Sequence, residues 1–122
     1  MKVRAEIDFD ILNAFCIDDF DGNKYLIGCG FTHNESHIVL DNGDQYPIKK
    51  DTRAVHFEDM IDSNSKAIFA SLSEDGKGGD ILKTRGNEAP CKFNKGFTIE
   101  TIMGISNLYM LLDKVKVIGI QE

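Results

Sequence analysis

The first ten residues place the strongest constraint on the fold, because apolar and charged side chains alternate there one by one. The apolar positions are Val3, Ala5, Ile7 and Phe9. A period of two is typical of a β-strand with one face on a core and the other in water. The pattern therefore predicts a strand over residues 2–10. It places Glu6, Asp8 and Asp10 on one solvent face, with neighbouring carboxylates about 7 Å apart.

Short apolar runs separated by turn residues continue along the rest of the chain. The stretch Asp41–Asp44 (DNGD) is the strongest hairpin signal, because Asn-Gly accepts the positive φ angles of a type I′ turn. Pro47 has no backbone N–H and indicates an edge strand in the run that follows. Residues 102–112 fit a short helix and a buried strand equally well. The chain is therefore predicted to be mainly β with a short helix (α+β), opening with an acidic antiparallel β-meander over residues 1–56.

Charge is distributed unevenly along the 122 residues, whose formal net charge is −6. Residues 1–62 hold thirteen acidic and six basic residues, a net charge of −7, whereas residues 63–122 hold seven acidic and eight basic residues, a net charge of +1. One stretch without any base contains the candidate partner-binding residues Glu6, Asp8, Asp10, Asp18, Asp19 and Asp21. Such a surface repels phosphates, argues against direct nucleic-acid binding by this half, and suits a basic protein partner. The alternative is a solvated face that keeps a small protein in solution.

The sequence motifs that carry catalysis, cofactors or metals do not occur at the required spacings. The loop Glu74–Leu82 (EDGKGGDIL) has a Gly-Lys pair but lacks the upstream glycine and the hydroxyl residue of a phosphate-binding loop. His33 and His37 in HNESH do not have the H-E-x-x-H order of a zinc protease. We therefore expect a protein that is not an enzyme, without catalytic residues, cofactors or a bound metal. Gly79 and Asp80 are interpreted as a structural turn in which the carboxylate caps backbone amides.

The hydropathy of the chain also bears on its location. No apolar stretch reaches the roughly 18 residues that a membrane helix needs. The first ten residues alternate in polarity, so they lack the continuous apolar segment of a secretion signal. The expectation is a cytoplasmic protein of a bacterial host, without membrane contact.

Three segments of the second half stand out: DSNSKAI over residues 62–68, GDIL over residues 79–82, and VIG over residues 117–119. Together they resemble the signature D-x-N-G-x-x-I-Y-E-G-D-I-[VL] and the closing V-I-G strand of the YopX family of small phage and prophage proteins. Ser65 stands at the turn glycine of that signature. The resemblance implies an SH3-like, small antiparallel β-barrel module over residues 57–122, and a phage or prophage origin. It implies no activity.

The sequence leaves three functional hypotheses open. In the first, a non-enzymatic phage or prophage accessory protein binds a host or phage protein. Its carboxylates stand in for phosphates in the basic groove of a nucleic-acid-binding target, and an anti-CRISPR protein that blocks a guide-dependent nuclease is one such case. In the second, a nucleic-acid-binding or regulatory SH3-like module uses the bases Lys77, Lys83, Arg85, Lys92 and Lys95. In the third, the chain is a structural or assembly protein of phage particles, with its oligomeric state left open.

Overall fold

The computed structural model describes residues 1–14, 22–101 and 104–122. Within these ranges the chain forms one short α-helix, three 3₁₀ turns and twelve strands. The helix α1 spans Phe9–Ala14, and the 3₁₀ turns span Lys50–Thr52, Leu108–Met110 and Leu112–Lys114. The strands are β1 Lys2–Glu6, β2 Tyr25–Gly28, β3 Gly30–Phe31, β4 His37–Val39, β5 Gln45–Pro47, β6 Ala54–His56, β7 Ala70–Ser71, β8 Asp80–Thr84, β9 Asn87–Phe93, β10 Phe97–Thr101, β11 Gly104–Asn107 and β12 Lys116–Ile120. None of the helices in the described ranges is long and apolar enough to cross a membrane.

Strands make up 46% of the structure, which confirms the prediction of a mainly β chain with one short helix. Nine strands form a curled, half-barrel sheet, whose main path runs β11-β10-β9-β7-β6-β1-β2, while β8 pairs with both β9 and β12. Neighbours in this sheet are antiparallel except β7 and β9, which pair in parallel at Ser71 and Lys92. Strands β3, β4 and β5 form a second, antiparallel sheet.

The large sheet contains strands from both halves of the sequence. Strand β1 lies between β2 and β6, and β6 continues into the second half by pairing with β7. The boundary predicted after residue 56 therefore falls between two paired strands. The division into units 1–56 and 57–122, and the SH3-like character of the second, stay predictions.

Strand β1 follows the alternating pattern only as far as Glu6. Asp8 then caps a helix, because its Oδ1 accepts the backbone N–H of Ile11 at 3.3 Å. Its carbonyl oxygen accepts the N–H of Leu12 at 2.9 Å, which is the first hydrogen bond of α1. The predicted strand is thus too long at its end. Phe9, expected in the core, begins α1 and is 37% exposed.

Both faces of β1 are buried. The charged side chains that β1 places in the interior can be buried because each of them has a partner. The period of two predicts Arg4 and Glu6 in water, yet both residues are buried. Arg4 pairs with Asp80, and Glu6 pairs with two lysines. A charge that is paired and hydrogen-bonded tolerates burial, whereas a lone one does not.

The hairpin predicted at Asp41–Asp44 joins β4 to β5. Its turn differs from the prediction, because in this loop only Gly43 has a positive φ, of 91°, and a type I′ turn needs two such residues. The N–H of Gly43 donates to the carbonyl of Leu40 at 2.9 Å, as in a type I turn followed by a glycine bulge. Pro47 ends β5, which is a terminal strand of the small sheet, as predicted.

At the β10 end of the large sheet, the core packs against one face. Along β10, Phe97 and Ile99 are buried, while Thr98 and Glu100 alternate with them toward the other face. The rings of Phe57, Phe93 and Phe97 pack on one another with centroids 5.5 to 5.8 Å apart. This alternation gives the β10 end of the sheet a core side and an outer side, and each side has its own surface features.

Replacing Phe69 by alanine should lower the free energy of unfolding by about 3–5 kcal/mol, since its side chain is only 4% exposed. The same substitution at Phe9 should cost less, because this residue is 37% exposed. Urea unfolding of both variants beside the wild type measures the two losses. Equal losses would show that Phe9 lies in the core, as the alternation predicts, and would contradict its place on α1.

Candidate functional site

The six candidate partner-binding carboxylates do not form one described row. Three of them, Asp18, Asp19 and Asp21, lie outside the described residues. Glu6 ends β1, Asp8 caps α1 and Asp10 lies in the first turn of the helix. The even spacing predicted for these three on one strand face is therefore wrong, because the strand stops after the first of them. Their assignment to a partner site stays a prediction.

Glu6 belongs to an ion-pair network inside its own chain. One carboxylate oxygen lies 3.2 Å from Lys24 Nζ, and the other lies 3.0 Å from Lys49 Nζ. Lys24 also pairs with Glu122. The backbone N–H of Glu6 donates to Thr52 Oγ1 at 2.9 Å. The side chain that the sequence assigns to a partner is thus already satisfied by two lysines.

The electrostatics of Glu6 follow from these contacts. Burial by itself raises the pKa of Glu6, but the hydrogen bonds and charges of Lys49 and Lys24 outweigh burial, so its pKa lies below the ordinary value. The hydrogen bond that Lys49 donates to this carboxylate also raises the pKa of Lys49. Both members of the pair therefore remain charged at neutral pH.

Asp80 begins β8 and anchors the turn in which the sequence places it. Its Oδ1 accepts a hydrogen bond from Arg4 Nη2, and its Oδ2 accepts one from the backbone N–H of Phe69, each at 2.8 Å. Arg4 Nη2 also donates to the carbonyl of Gly78 at 2.8 Å, and the guanidinium lies 4.5 Å from the centre of the Phe69 ring. The carboxylate therefore holds a backbone amide and a cation of β1 together.

The glycine loop before β8 is packed too tightly to receive a phosphate. A Cβ on Gly78 would lie 2.0 Å from the carbonyl oxygen of Thr52, so only glycine fits there. The N–H of Gly78 donates to the carbonyl of Gln121 at 2.7 Å, and that of Gly79 donates to Gly76 at 3.1 Å. A phosphate-binding loop presents such amides to its ligand. In this loop they are bonded within the chain, so the loop is a structural turn.

The edge strand β11 is the surface feature that sequence reasoning missed. Among the described strands it pairs only with β10, and it ends the main path of the large sheet. Alternate N–H and C=O groups of such a strand point away from its neighbour. Ile105 in β11 is 71% exposed, and Met110 in the following 3₁₀ turn is 81% exposed. The sequence signal for this strand lies in residues 102–112, whose apolar pattern fits a helix as well as a strand and therefore did not predict it.

A cleft of about 400 Å³ lies beside β11 on the outer side of the sheet. Leu72, Phe93 and Ile105 form its apolar lining. Its charged residues are Glu74, Glu100 and Lys92. Glu100 stands directly opposite Ile105 in the β10–β11 register. An exposed backbone edge and a cleft of mixed apolar and acidic character therefore lie next to each other.

The strand β12, by contrast, has a protected edge. Asp62 Oδ2 accepts the N–H of Val117 at 2.9 Å, and its Oδ1 accepts the amides of Asn64 and Lys66, each at 2.8 Å. Burial raises the pKa of Asp62, but these three backbone donors outweigh burial and hold its pKa below the ordinary value. A charged carboxylate thus binds one backbone N–H of β12, whereas no described carboxylate binds the backbone of β11.

The polar side chains that carry metal or thiolate chemistry have structural contacts here. Within the described ranges, no group of three His, Cys, Asp or Glu side chains could hold a metal ion. His56 Nδ1 lies 3.0 Å from the carbonyl oxygen of Ile68. Burial raises the pKa of the Cys91 thiol to about 12, so Cys91 is protonated at neutral pH and is a poor nucleophile.

Breaking the Arg4–Asp80 pair should be costly, because a buried charge that loses its partner destabilises a protein by about 3–5 kcal/mol. Arg4→Met leaves Asp80 buried and unpaired. Adding Asp80→Asn removes the second charge and keeps an oxygen for the N–H of Phe69, so the double variant should be more stable than Arg4→Met alone. Urea unfolding of both single variants and the double variant completes the cycle. A double variant less stable than Arg4→Met would contradict the pairing.

Glu6→Gln should lower the free energy of unfolding by about 1 kcal/mol at pH 7, since it removes the charge that faces two lysines. A carboxyl whose pKa is depressed in the folded state contributes stability above its unfolded value and loses it as pH falls through the folded pKa. The difference between wild type and variant should therefore shrink as pH falls below the ordinary value of 4.5. Chemical unfolding over a pH series measures this trend. A difference that grows toward acid pH would refute the assignment.

The residues that resemble the YopX signature occupy turns and strand ends. Ser65, at the position of the family's turn glycine, has a φ of 63°, in the left-handed region that glycine favours. Asp62 organises the same loop and binds β12. The family assignment stays a prediction. Comparison of the chain with protein-family models, curated proteins and solved structures gave no match.

Proposed function

We propose that the protein acts without catalysis, by binding an extended segment of another protein along β11. The observation that carries this proposal is the open edge of β11, with Ile105 exposed beside the outer cleft. An extended peptide adds to such an edge through backbone hydrogen bonds, and pockets for its alternate side chains provide specificity. The cleft is one such pocket.

The lining of the cleft favours a segment that carries both apolar and basic residues. Leu72 and Ile105 are exposed and offer apolar contact. Among the described lining residues, the carboxylates Glu74 and Glu100 stand against the single base Lys92. The net charge of −6 also favours rapid encounter with a basic partner. Apolar contact and charge thus select the same class of segment.

A narrower form of the proposal is a phage or prophage accessory protein that inhibits a nucleic-acid-binding host protein, in the manner of an anti-CRISPR protein. The net charge of −7 over residues 1–62 and the exposed Asp10 support it. Glu6 contributes little, because its carboxylate is paired with Lys24 and Lys49. A groove that binds nucleic acid is basic, so such a target meets the same charge requirement as the cleft.

Selection of a displayed random-peptide library on the immobilised protein tests strand addition at β11. The enriched sequences should alternate apolar and basic residues. Ile105→Arg should weaken binding of an enriched peptide by about tenfold or more, because it places a like charge at the centre of the contact. The same variant should leave the free energy of unfolding within about 0.5 kcal/mol, since the position is on the surface.

Ile27→Arg is the matched control for this experiment. Ile27 is 54% exposed and lies on β2, the strand at the opposite end of the same sheet. It should leave peptide binding unchanged. Equal losses in the two variants would assign the effect to overall charge, and a library without enriched sequences would rule out strand addition.

A nuclease-treated bacterial lysate tests the narrower form separately. A protein retained by the wild type should bind nucleic acid, and added nucleic acid should compete with the wild type for it. Charge reversal at Asp8 and Asp10 should weaken the retention. Retention that persists in this variant and resists competition would refute nucleic-acid mimicry while leaving strand addition intact.

A further inference from the structure

A second cavity, of about 500 Å³, lies on the other side of β11 from the cleft. Ser106 lines this cavity, whereas its neighbour Ile105 lines the cleft, as expected for successive residues of a strand. Thr84 and Leu111 also contribute to the lining. The volume falls within the range of small-molecule sites, about 300–1,000 Å³.

The hairpin between β8 and β9 presents Arg85 at this cavity. Thr84 and Asn87 pair across the two strands, and the turn between them consists of Arg85 and Gly86 with φ angles of 49° and 80°. Two positive φ angles match a type I′ turn, whose first position favours Asn, Asp or Gly. Arginine carries a backbone strain there that asparagine largely avoids. Strained non-glycine residues of this kind cluster at ligand-binding sites.

Among the described residues, the lining holds two cations and no carboxylate. Arg85 and Lys114 both line the cavity, and neither makes an ion pair within the described part of the chain. Glu88 and Asp113, the acidic residues nearest in sequence to Arg85 and Lys114 respectively, are exposed and do not line the cavity. The positive charge is therefore available to a bound anion.

Neutral polar groups and one apolar side chain complete the site. The hydroxyl groups of Thr84 and Ser106 can donate hydrogen bonds to an oxyanion. Asn87 also lines the cavity, and its Nδ2 donates to the carbonyl of Glu100 at 3.2 Å, which ties the hairpin to β10. Leu111 adds an apolar wall. The cavity combines a few polar groups with an apolar surface, as ligand sites do.

We propose that this cavity binds a small molecule that carries a phosphate monoester. A guanidinium offers two parallel N–H donors to phosphate oxygens, and an ammonium adds a second positive charge against a dianion. A phosphate group alone would leave most of the cavity empty, so the ligand has an organic body that contacts Leu111. The inference is independent of the proposed function, because the two sites lie on opposite sides of β11 and none of the described residues lines both.

Isothermal titration calorimetry with two phosphate monoesters, AMP and ribose 5-phosphate, tests the proposal. The counterparts are adenosine, which lacks the phosphate, and inorganic phosphate, which lacks the organic body. At least one of the two esters should bind more tightly than both counterparts. Arg85→Asn should weaken that binding by about tenfold or more, since it removes charge-assisted hydrogen bonds. The same variant should have an equal or higher melting temperature, because asparagine suits the turn better than arginine.

Lys95→Asn is the matched control. Lys95 has a φ of 56° and precedes Gly96 in the turn between β9 and β10, so the same charge is removed at another left-handed position. It lies outside the cavity and should leave ester binding unchanged.

Three results would overturn the proposal. The first is that neither ester binds better than its counterparts. The second is an equal loss in Arg85→Asn and Lys95→Asn, which would indicate diffuse attraction to a basic surface. The third is binding of a single-stranded oligonucleotide without binding of the esters, which would make Arg85 part of a nucleic-acid surface instead.

Discussion

The buried pair of Arg4 and Asp80 is the interaction on which the rest of the structure depends. The two residues are 76 positions apart and lie on β1 and β8. A buried charge without a partner costs several kcal/mol, so an assembly of the sheet that leaves either residue alone is unfavourable. Asp80 also holds the amide of Phe69, and the ring of Phe69 lies against the guanidinium. One ion pair thus fixes the relative position of strands from the two halves of the chain.

The close packing of the glycine loop has the same origin. Arg4 donates to the carbonyl of Gly78, and the same glycine lies against the backbone of Thr52. At that distance a side chain is excluded, so close packing by itself accounts for the glycine at position 78. A glycine-rich sequence can indicate that another segment of the chain packs closely against its backbone. Only the folded structure shows which segment that is.

Local sequence patterns predicted the elements that are determined by residues close together in the sequence. The hairpin between β4 and β5 lies at the predicted turn Asp41–Asp44, because the Asn-Gly pair and the short apolar runs beside it are local signals. Asp8 shows the limit of such patterns. It fits a period of two and equally fits a helix cap, and only the hydrogen bond to Ile11 decides between them.

The candidate sites were harder to predict, because they depend on contacts between distant residues. The partners of Glu6 are Lys24 and Lys49, and no local pattern indicates that they would surround it. The edge position of β11 depends on the order of strands in the sheet, which a single sequence does not specify. Arg85 has a turn signal in the following glycine, but the cavity beneath it needs the 3₁₀ turns near Leu111 as well.

The position of β11 between the cleft and the cavity has a thermodynamic consequence. Ile105 and Ser106 are successive residues, so a shift of this strand changes the shape of both sites at once. A molecule that binds in the outer cleft and prefers one position of the strand would alter the affinity for a ligand in the cavity on the core side. Linkage requires the reverse effect to have the same magnitude. β11 has four residues and one partner among the described strands, so a ligand at either proposed site would change the affinity of the other site through this strand.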